Sequence, residues 1–180
     1  MAGEDLVSLL DSQLESQLGH TVVTLGRHTG PVLDVASAAN GHVLTCSDDN
    51  TVMVFLGDQH VRTIQAHAGG VEAVAVLPGG ARFVSGSQDG TAKLWTLDGS
   101  LERTFEVGSY MTCVAALPDG EHFVVGLGGG HIDRGEVRLY HVDGTRVHTF
   151  ERHANLLNAV AVTPDGQQII SGGFDNLVKV

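Results

Sequence analysis

Short runs in which apolar and polar positions alternate recur along the chain, and the runs repeat one another. "VEAVAVLPGGARFVSG" from Val71, "MTCVAALPDGEHFVVG" from Met111 and "LNAVAVTPDGQQIISG" from Leu157 superpose without gaps over most of their length. "VLDVASAANGHVLTCS" from Val32 joins them with one residue missing in the turn. An alternating run, a Pro/Asn/Asp-Gly turn and a second alternating run predict a β-hairpin. A third strand follows each hairpin: "TVMVF" from Thr51, "TAKLW" from Thr91, "EVRLY" from Glu136 and "NLVKV" from Asn176. A fourth follows in "VRTIQ" from Val61, "LERTF" from Leu101 and "RVHTF" from Arg146, after turns that carry Gly and Asp.

Four antiparallel strands in a unit of roughly 40 residues predict the blade of a β-propeller. The expected fold is all-β, with about four blade equivalents. Its divisions are an outer strand at 21–27, blades at 28–66, 67–106 and 107–152, and an incomplete blade at 153–180. The orphan strand "TVVTLGR" would complete the last blade and cover two otherwise open edges. Ahead of it, residues 1–20 place Leu6, Leu10, Leu14 and Leu18 four apart, with Glu4 and Asp5 at the start and Gly19 as a stop. That pattern predicts one amphipathic helix, packed on its own propeller or docked on a partner.

Composition narrows the function. Twenty-one acidic against 10 basic residues give a net charge of −11, which argues against nucleic acid and against an anionic membrane surface. No apolar run approaches the roughly 18 residues of a membrane span, and the acidic N-terminus is unlike a secretory signal. Two cysteines without metal-type spacing, Cys46 and Cys113, read as thiols of a reducing compartment. A cytoplasmic or nuclear protein is expected.

The repeats resemble the WD-repeat (tryptophan–aspartate) propellers over residues 21–180. The best-matched unit runs from His67 through "SGSQDGTAKLW". The resemblance implies a hydrogen-bonded tetrad of His67, Ser85, Asp89 and Trp95. His28, Thr45 and Asp49 approximate it with Phe55 in the Trp position, and His153, Ser171 and Asp175 repeat it with the Trp position one residue beyond Val180. In the third unit Val107 and Val125 stand where His and Ser belong, and Tyr140 alone remains. Because partial copies recur, His67, Ser85 and Asp89 read as structural rather than as a hydrolase triad. Blades of this family suit rings of about seven or eight, so the chain is expected to be part of such a ring. Two copies completing one ring is the alternative.

Partner binding in the family uses the loops before the first strand and between the second and third. Mapped here, that face carries Pro31, Leu33, Asp48, Glu72, Gln88, Tyr110, Thr112, Leu156, Asn158 and Phe174. The implied function is a non-catalytic scaffold or adaptor, in signalling or as a ubiquitin-ligase component, presenting this face to a protein or peptide. No enzyme signature, cofactor motif or metal-ligand cluster is present.

"VVGLGGGHIDRGEV" at 124–137 superficially resembles a phosphate loop. A strand rather than a helix follows it, and His131 occupies the last glycine position of a G-x-G-x-x-G. It reads instead as a flexible insert between the second and third strands of the third blade, with His131 and Asp133 contacting a partner. Excising Gly129 to Arg134 would then spare the fold and weaken binding.

Overall fold

The computed structural model describes residues 22–129, 132–150 and 152–180. It contains four antiparallel sheets. The first is β1 (Val32–Ser37), β2 (His42–Ser47), β3 (Thr51–Leu56) and β4 (Gln59–Gln65). The second is β5 (Val71–Val76), β6 (Arg82–Ser87), β7 (Thr91–Thr96) and β8 (Leu101–Glu106). The third is β9 (Met111–Ala116), β10 (His122–Gly129), β11 (Ile132–His141) and β12 (Arg146–Thr149). The fourth has three strands, β13 (Leu157–Val162), β14 (Ile169–Gly173) and β15 (Val178–Lys179). In each sheet spatial order follows chain order, as short turns between antiparallel neighbours require.

The core lies between sheets. Blades one and two enclose Leu44, Val52, Val54, Ile64, Val71, Phe83 and Trp95. Blades two and three enclose Leu94, Phe105, Met111, Phe123, Leu127 and Tyr140. A smaller cluster around Val124, Val137 and Leu157 joins blades three and four. Burying each large side chain stabilises the stack by about 1.5–3 kcal/mol. The seams also interlock in shape: a Cβ on Gly86 would lie 2.3 Å from Met111, and one on Gly126 would lie 2.4 Å from Leu157. Large residues opening one blade therefore fill glycine hollows in the blade before it. At the corresponding Gly172 nothing lies within 4 Å.

Two expectations differ here. Residues 22–27, the described part of the outer strand expected at 21–27, form none, and the fourth sheet keeps three strands. A strand needs an edge to pair with, and the row of blades does not bring β15 to this segment. The glycine stretch is not a loose insert either: β10 and β11 continue through it, with Leu127 opposite Glu136 and Gly129 opposite Ile132. Its glycines let blade four approach, since Gly135 N–H donates to Asn155 O at 2.7 Å and Gly135 O accepts from His153 N–H at 2.9 Å. The helix expected over 1–20 and His131 lie outside the described residues, as does the side chain of Asp133.

Candidate functional site

In blade two the network is built from four segments of the repeat. His67 Nδ1 lies 3.0 Å from Asp89 Oδ2, and His67 Nε2 lies 2.7 Å from Ser85 Oγ. Trp95 Nε1–H donates to Ser85 Oγ at 2.9 Å. Asp89 also accepts from Ala68 N–H, Thr91 N–H and the Thr91 hydroxyl. Burial pushes the Asp89 carboxyl up, but the Thr91 hydroxyl, the Ala68 amide and His67 outweigh it and hold it below the usual range. Burial pushes His67 down against the pull of Asp89. A neutral ring beside an ionised carboxylate fixes the protons: Nδ1–H donates to Asp89, Nε2 accepts from Ser85, and Ser85 Oγ accepts from Trp95. Ser85 is fully buried with its bonding complete, so it is a structural junction and no nucleophile.

The sign of these shifts sets a pH dependence. Both folded groups release protons more readily than their unfolded forms, so the unfolded chain binds more protons and acid destabilises the fold. Loss begins below the ordinary histidine value of 6.5 through His67 and continues below 3.8 through Asp89. We expect the melting temperature to fall between about pH 7.5 and about pH 5.5, and His67→Gln to flatten that step; calorimetry across the range measures both.

The same geometry recurs with substitutions. His28 contacts Asp49 at 3.0 Å and Thr45 Oγ1 at 2.8 Å, while Phe55 has no donor. His153 contacts Asp175 at 2.9 Å and Ser171 Oγ at 2.9 Å. The His153 bond holds Asp175 down at about 2. Sequence reasoning missed a further member: Thr51 and Thr91 hydroxyls donate to Asp49 and Asp89 at 2.6 and 2.7 Å. The repeated Asp-x-Thr was the available signal. The middle position has positive φ, 71° at Asn50 and 82° at Gly90, which restricts it to Asn or Gly.

A basic residue inside each later third strand was also missed. Lys93, Arg138 and Lys179 donate to the carbonyls of Ala66, Val107 and Arg152 at 2.7, 2.8 and 2.8 Å. Each ties its strand to the segment that leads into its blade. In blade three, where His and Ser are absent, Glu136 is buried at 3% exposure between Arg138 and Arg152. Burial pushes its carboxyl up; the two guanidinium groups prevail and hold it down. This ion triad takes the place of the tetrad.

The expected partner face is shaped by β-bulges. The register slips between Val32 and Asp34, Val71 and Ala73, and Leu157 and Ala159, and opposite Gly126 and Leu127 it skips Thr112. Leu33, Glu72, Thr112 and Asn158 are therefore the extra residues, and a bulge re-aims the side chain it carries. The structure links four of the expected residues across three blades. Gln88 Nε2 donates to Asp48 Oδ1 at 3.2 Å and to Glu72 Oε1 at 2.6 Å, and the Tyr110 hydroxyl donates to Glu72 Oε1 at 2.5 Å. Burial, then the Glu72 carboxylate, push the Tyr110 phenol up and keep it a neutral donor. Pro31 O accepts from Asp48 N–H, which sets that loop, while Leu33 and Phe174 are exposed at 41% and 62%. Thr112 turns inward to Gly126 O at 3.4 Å, and Leu156 O accepts from Phe174 N–H in blade four. Asp34, not expected in a site, ties β1 to β5 by accepting from Val74 N–H at 3.0 Å. Among the described residues no group of three metal-ligating side chains exists, and no helix is long and apolar enough to cross a membrane.

Comparison with known proteins matches this architecture. A family model described as "WD domain, G-beta repeat" matches residues 19–55, 58–96 and 144–180. Most of blade three, with its altered tetrad, falls in the gap. Pre-mRNA-processing factor 17 of Saccharomyces cerevisiae is 28% identical over 146 residues, covering 78% of this chain and 32% of that protein. Eukaryotic translation initiation factor 3 subunit I of Dictyostelium discoideum is 28% identical over 156 residues, covering 78% and 46%. Protein groucho of Drosophila melanogaster is 24% identical over 136 residues, covering 74% and 18%. The chain spans less than half the length of each of these relatives.

Proposed function

The chain belongs to the WD-repeat family, and from that premise we propose that it is a non-catalytic scaffold whose loop face holds a protein or peptide partner. The supporting observation is the Asp48–Gln88–Glu72–Tyr110 network, which joins loops of three blades into one preorganised polar surface. Preorganised donors and acceptors lower the ordering cost of association. Asp48 and Glu72, within a chain of net charge −11, favour a partner segment bearing Lys or Arg over nucleic acid. Two relatives are by name a subunit of an initiation factor and a pre-mRNA-processing factor, in keeping with a scaffold role. Cys46 and Cys113 are free thiols whose burial raises them, Cys113 to about 11, which suits a cytoplasmic or nuclear location. Affinity purification with quantitative mass spectrometry, comparing the native chain with Glu72→Lys, tests the reading. The variant should lose a defined set of partners at unchanged melting temperature; identical partner sets would refute it.

A second reading is self-assembly, with copies joining blade four of one to blade one of another. It is favoured by complementary open faces: Val32 and Val35 are exposed at 51% and 63%, and the Gly172 hollow is empty. In the inner blades the counterparts of Val32, namely Met111 and Leu157, fill such hollows. Light scattering distinguishes the two, because a monomer of 18.9 kDa at high concentration sinks the assembly.

A further inference from the structure

Blade three sets two histidines opposite each other on neighbouring strands. His122 opens β10 and pairs with His141, which closes β11. Their backbone groups face away from one another: His122 O accepts from Leu117 N–H on the β9 side, and His141 N–H donates to Thr145 O on the β12 side. The bond beside them runs from Val142 N–H to Glu121 O at 2.9 Å. The two histidines are therefore a non-hydrogen-bonded pair, the kind that brings opposed side chains closest. Their ring centres lie 4.8 Å apart, and their side chains are 28% and 31% exposed. At the same register positions blade one carries His42 and Leu56, and blade two carries Arg82 and Thr96.

A turn carboxylate stands behind each ring. His122 Nδ1 lies 2.7 Å from Asp119 Oδ2, and His141 Nδ1 lies 3.0 Å from Asp143 Oδ1. The turns hold both carboxylates in place: Asp119 Oδ1 accepts from the Glu121 and His122 amides at 2.9 Å, and Asp143 Oδ1 accepts from Thr145 N–H at 2.8 Å. A ring that donates Nδ1–H to a carboxylate keeps its Nε2 lone pair for a metal ion, and the carboxylate fixes the ring and raises its basicity. In its other tautomer His141 Nδ1 accepts from Asp143 N–H at 3.1 Å; an ion on Nε2 selects the first. Two imidazoles sharing one ion at about 2.0–2.1 Å from Nε2 place their ring centres about 4.5–5.2 Å apart, for bond angles from square to tetrahedral. The observed separation falls inside that interval. The neighbouring cation, Arg82, is engaged by Glu121 at 3.2 Å and Glu102 at 3.9 Å.

We propose that His122 and His141 form a two-imidazole site for a divalent ion of the zinc and copper class, at the end of blade three away from the partner face. Both Nε2 atoms ligate, and Asp119 and Asp143 orient the rings. Water fills the remaining positions, since among the described residues no third ligating side chain joins the pair. Imidazole donors select these ions over magnesium and calcium, which take oxygen ligands.

The test is a zinc titration of the full chain, followed by calorimetry and by NMR of the imidazole nitrogens. One saturable site should shift Nε2 of His122 and His141 together. Asp119→Asn keeps the turn acceptor but offers Nδ1 an N–H in place of Oδ2, which moves the ring proton onto Nε2; zinc affinity should fall about 10–100-fold. His122→Gln and His141→Thr introduce the residues that blades four and two carry at these positions, Gln168 and Thr96. Each should keep the zinc-free melting temperature and, as loss of a ligand exceeds loss of its outer partner, weaken zinc by at least about tenfold. His42→Gln, in blade one, should leave zinc binding as it was. Absence of a saturable site, affinity that survives any one of the three blade-three substitutions, or an equal loss in His42→Gln would each overturn the proposal.

Discussion

Asp89→Ala lowers the melting temperature by about 6–12 °C, the expected consequence of losing about 3 kcal/mol in a chain of this size. The carboxylate accepts from His67, Ala68 N–H, Thr91 N–H and the Thr91 hydroxyl. Its removal leaves the enclosed His67 Nδ1–H with only the Thr91 hydroxyl, 3.1 Å away, and takes the acceptor from the Ala68 and Thr91 amides. Unpartnered buried donors cost about 1–3 kcal/mol each, which is why one substitution outweighs any surface change. The donors to the Asp89 carboxylate are His67, Ala68 and Thr91, none of them on the partner face, so the variant should retain binding below its melting temperature. Differential scanning calorimetry reads the first outcome; an unchanged melting temperature would remove the tetrad from the stability argument.

Gly135→Val undocks blade four. A Cβ at Gly135 would stand 2.6 Å from Leu157 N and 2.8 Å from Asn155 O. Both are backbone atoms that cannot rotate away, and Gly135 also exchanges two hydrogen bonds with Asn155 and His153. A destabilisation of about 3 kcal/mol is expected. It should be localised: hydrogen exchange should quicken in β13 to β15 while β5 to β8 stay protected. Gly172→Val is the matched control, since nothing lies within 4 Å of a Cβ there, and it should be close to neutral. Equal effects of the two substitutions would contradict the close approach at Gly135.

These expectations mark which parts of the molecule could be read from the chain. The hairpins followed from alternation and turn chemistry, and the His–Ser–Asp–Trp spacing recurs because each blade rebuilds the same local geometry. Such information lies within one repeat. Glu136 was hidden because it occupies a third-strand position where the other blades carry Thr or Leu, and its partner Arg152 lies 16 residues on, beyond the fourth strand. The bulges that lift Leu33, Glu72, Thr112 and Asn158 were equally invisible, since an extra residue in one strand shows only against its partner strand. The glycine stretch was misread as a loop because glycine signals freedom in isolation. Here Gly128 and Gly135 are small so that the backbone of blade four can lie against them.

The sequence by itself therefore determined the class of fold, the repeating unit and the His, Ser or Thr, and Asp spacing of the tetrads. Each of these depends on periodicity and spacing along the chain, which the backbone converts directly into strand faces and turns. Only the tertiary structure decided how neighbouring blades meet: the glycine hollows, the ion triad of blade three and the Glu72 network. Those features join residues of different strands and blades, and complementarity between separate surfaces leaves no periodic trace in the chain that supplies them.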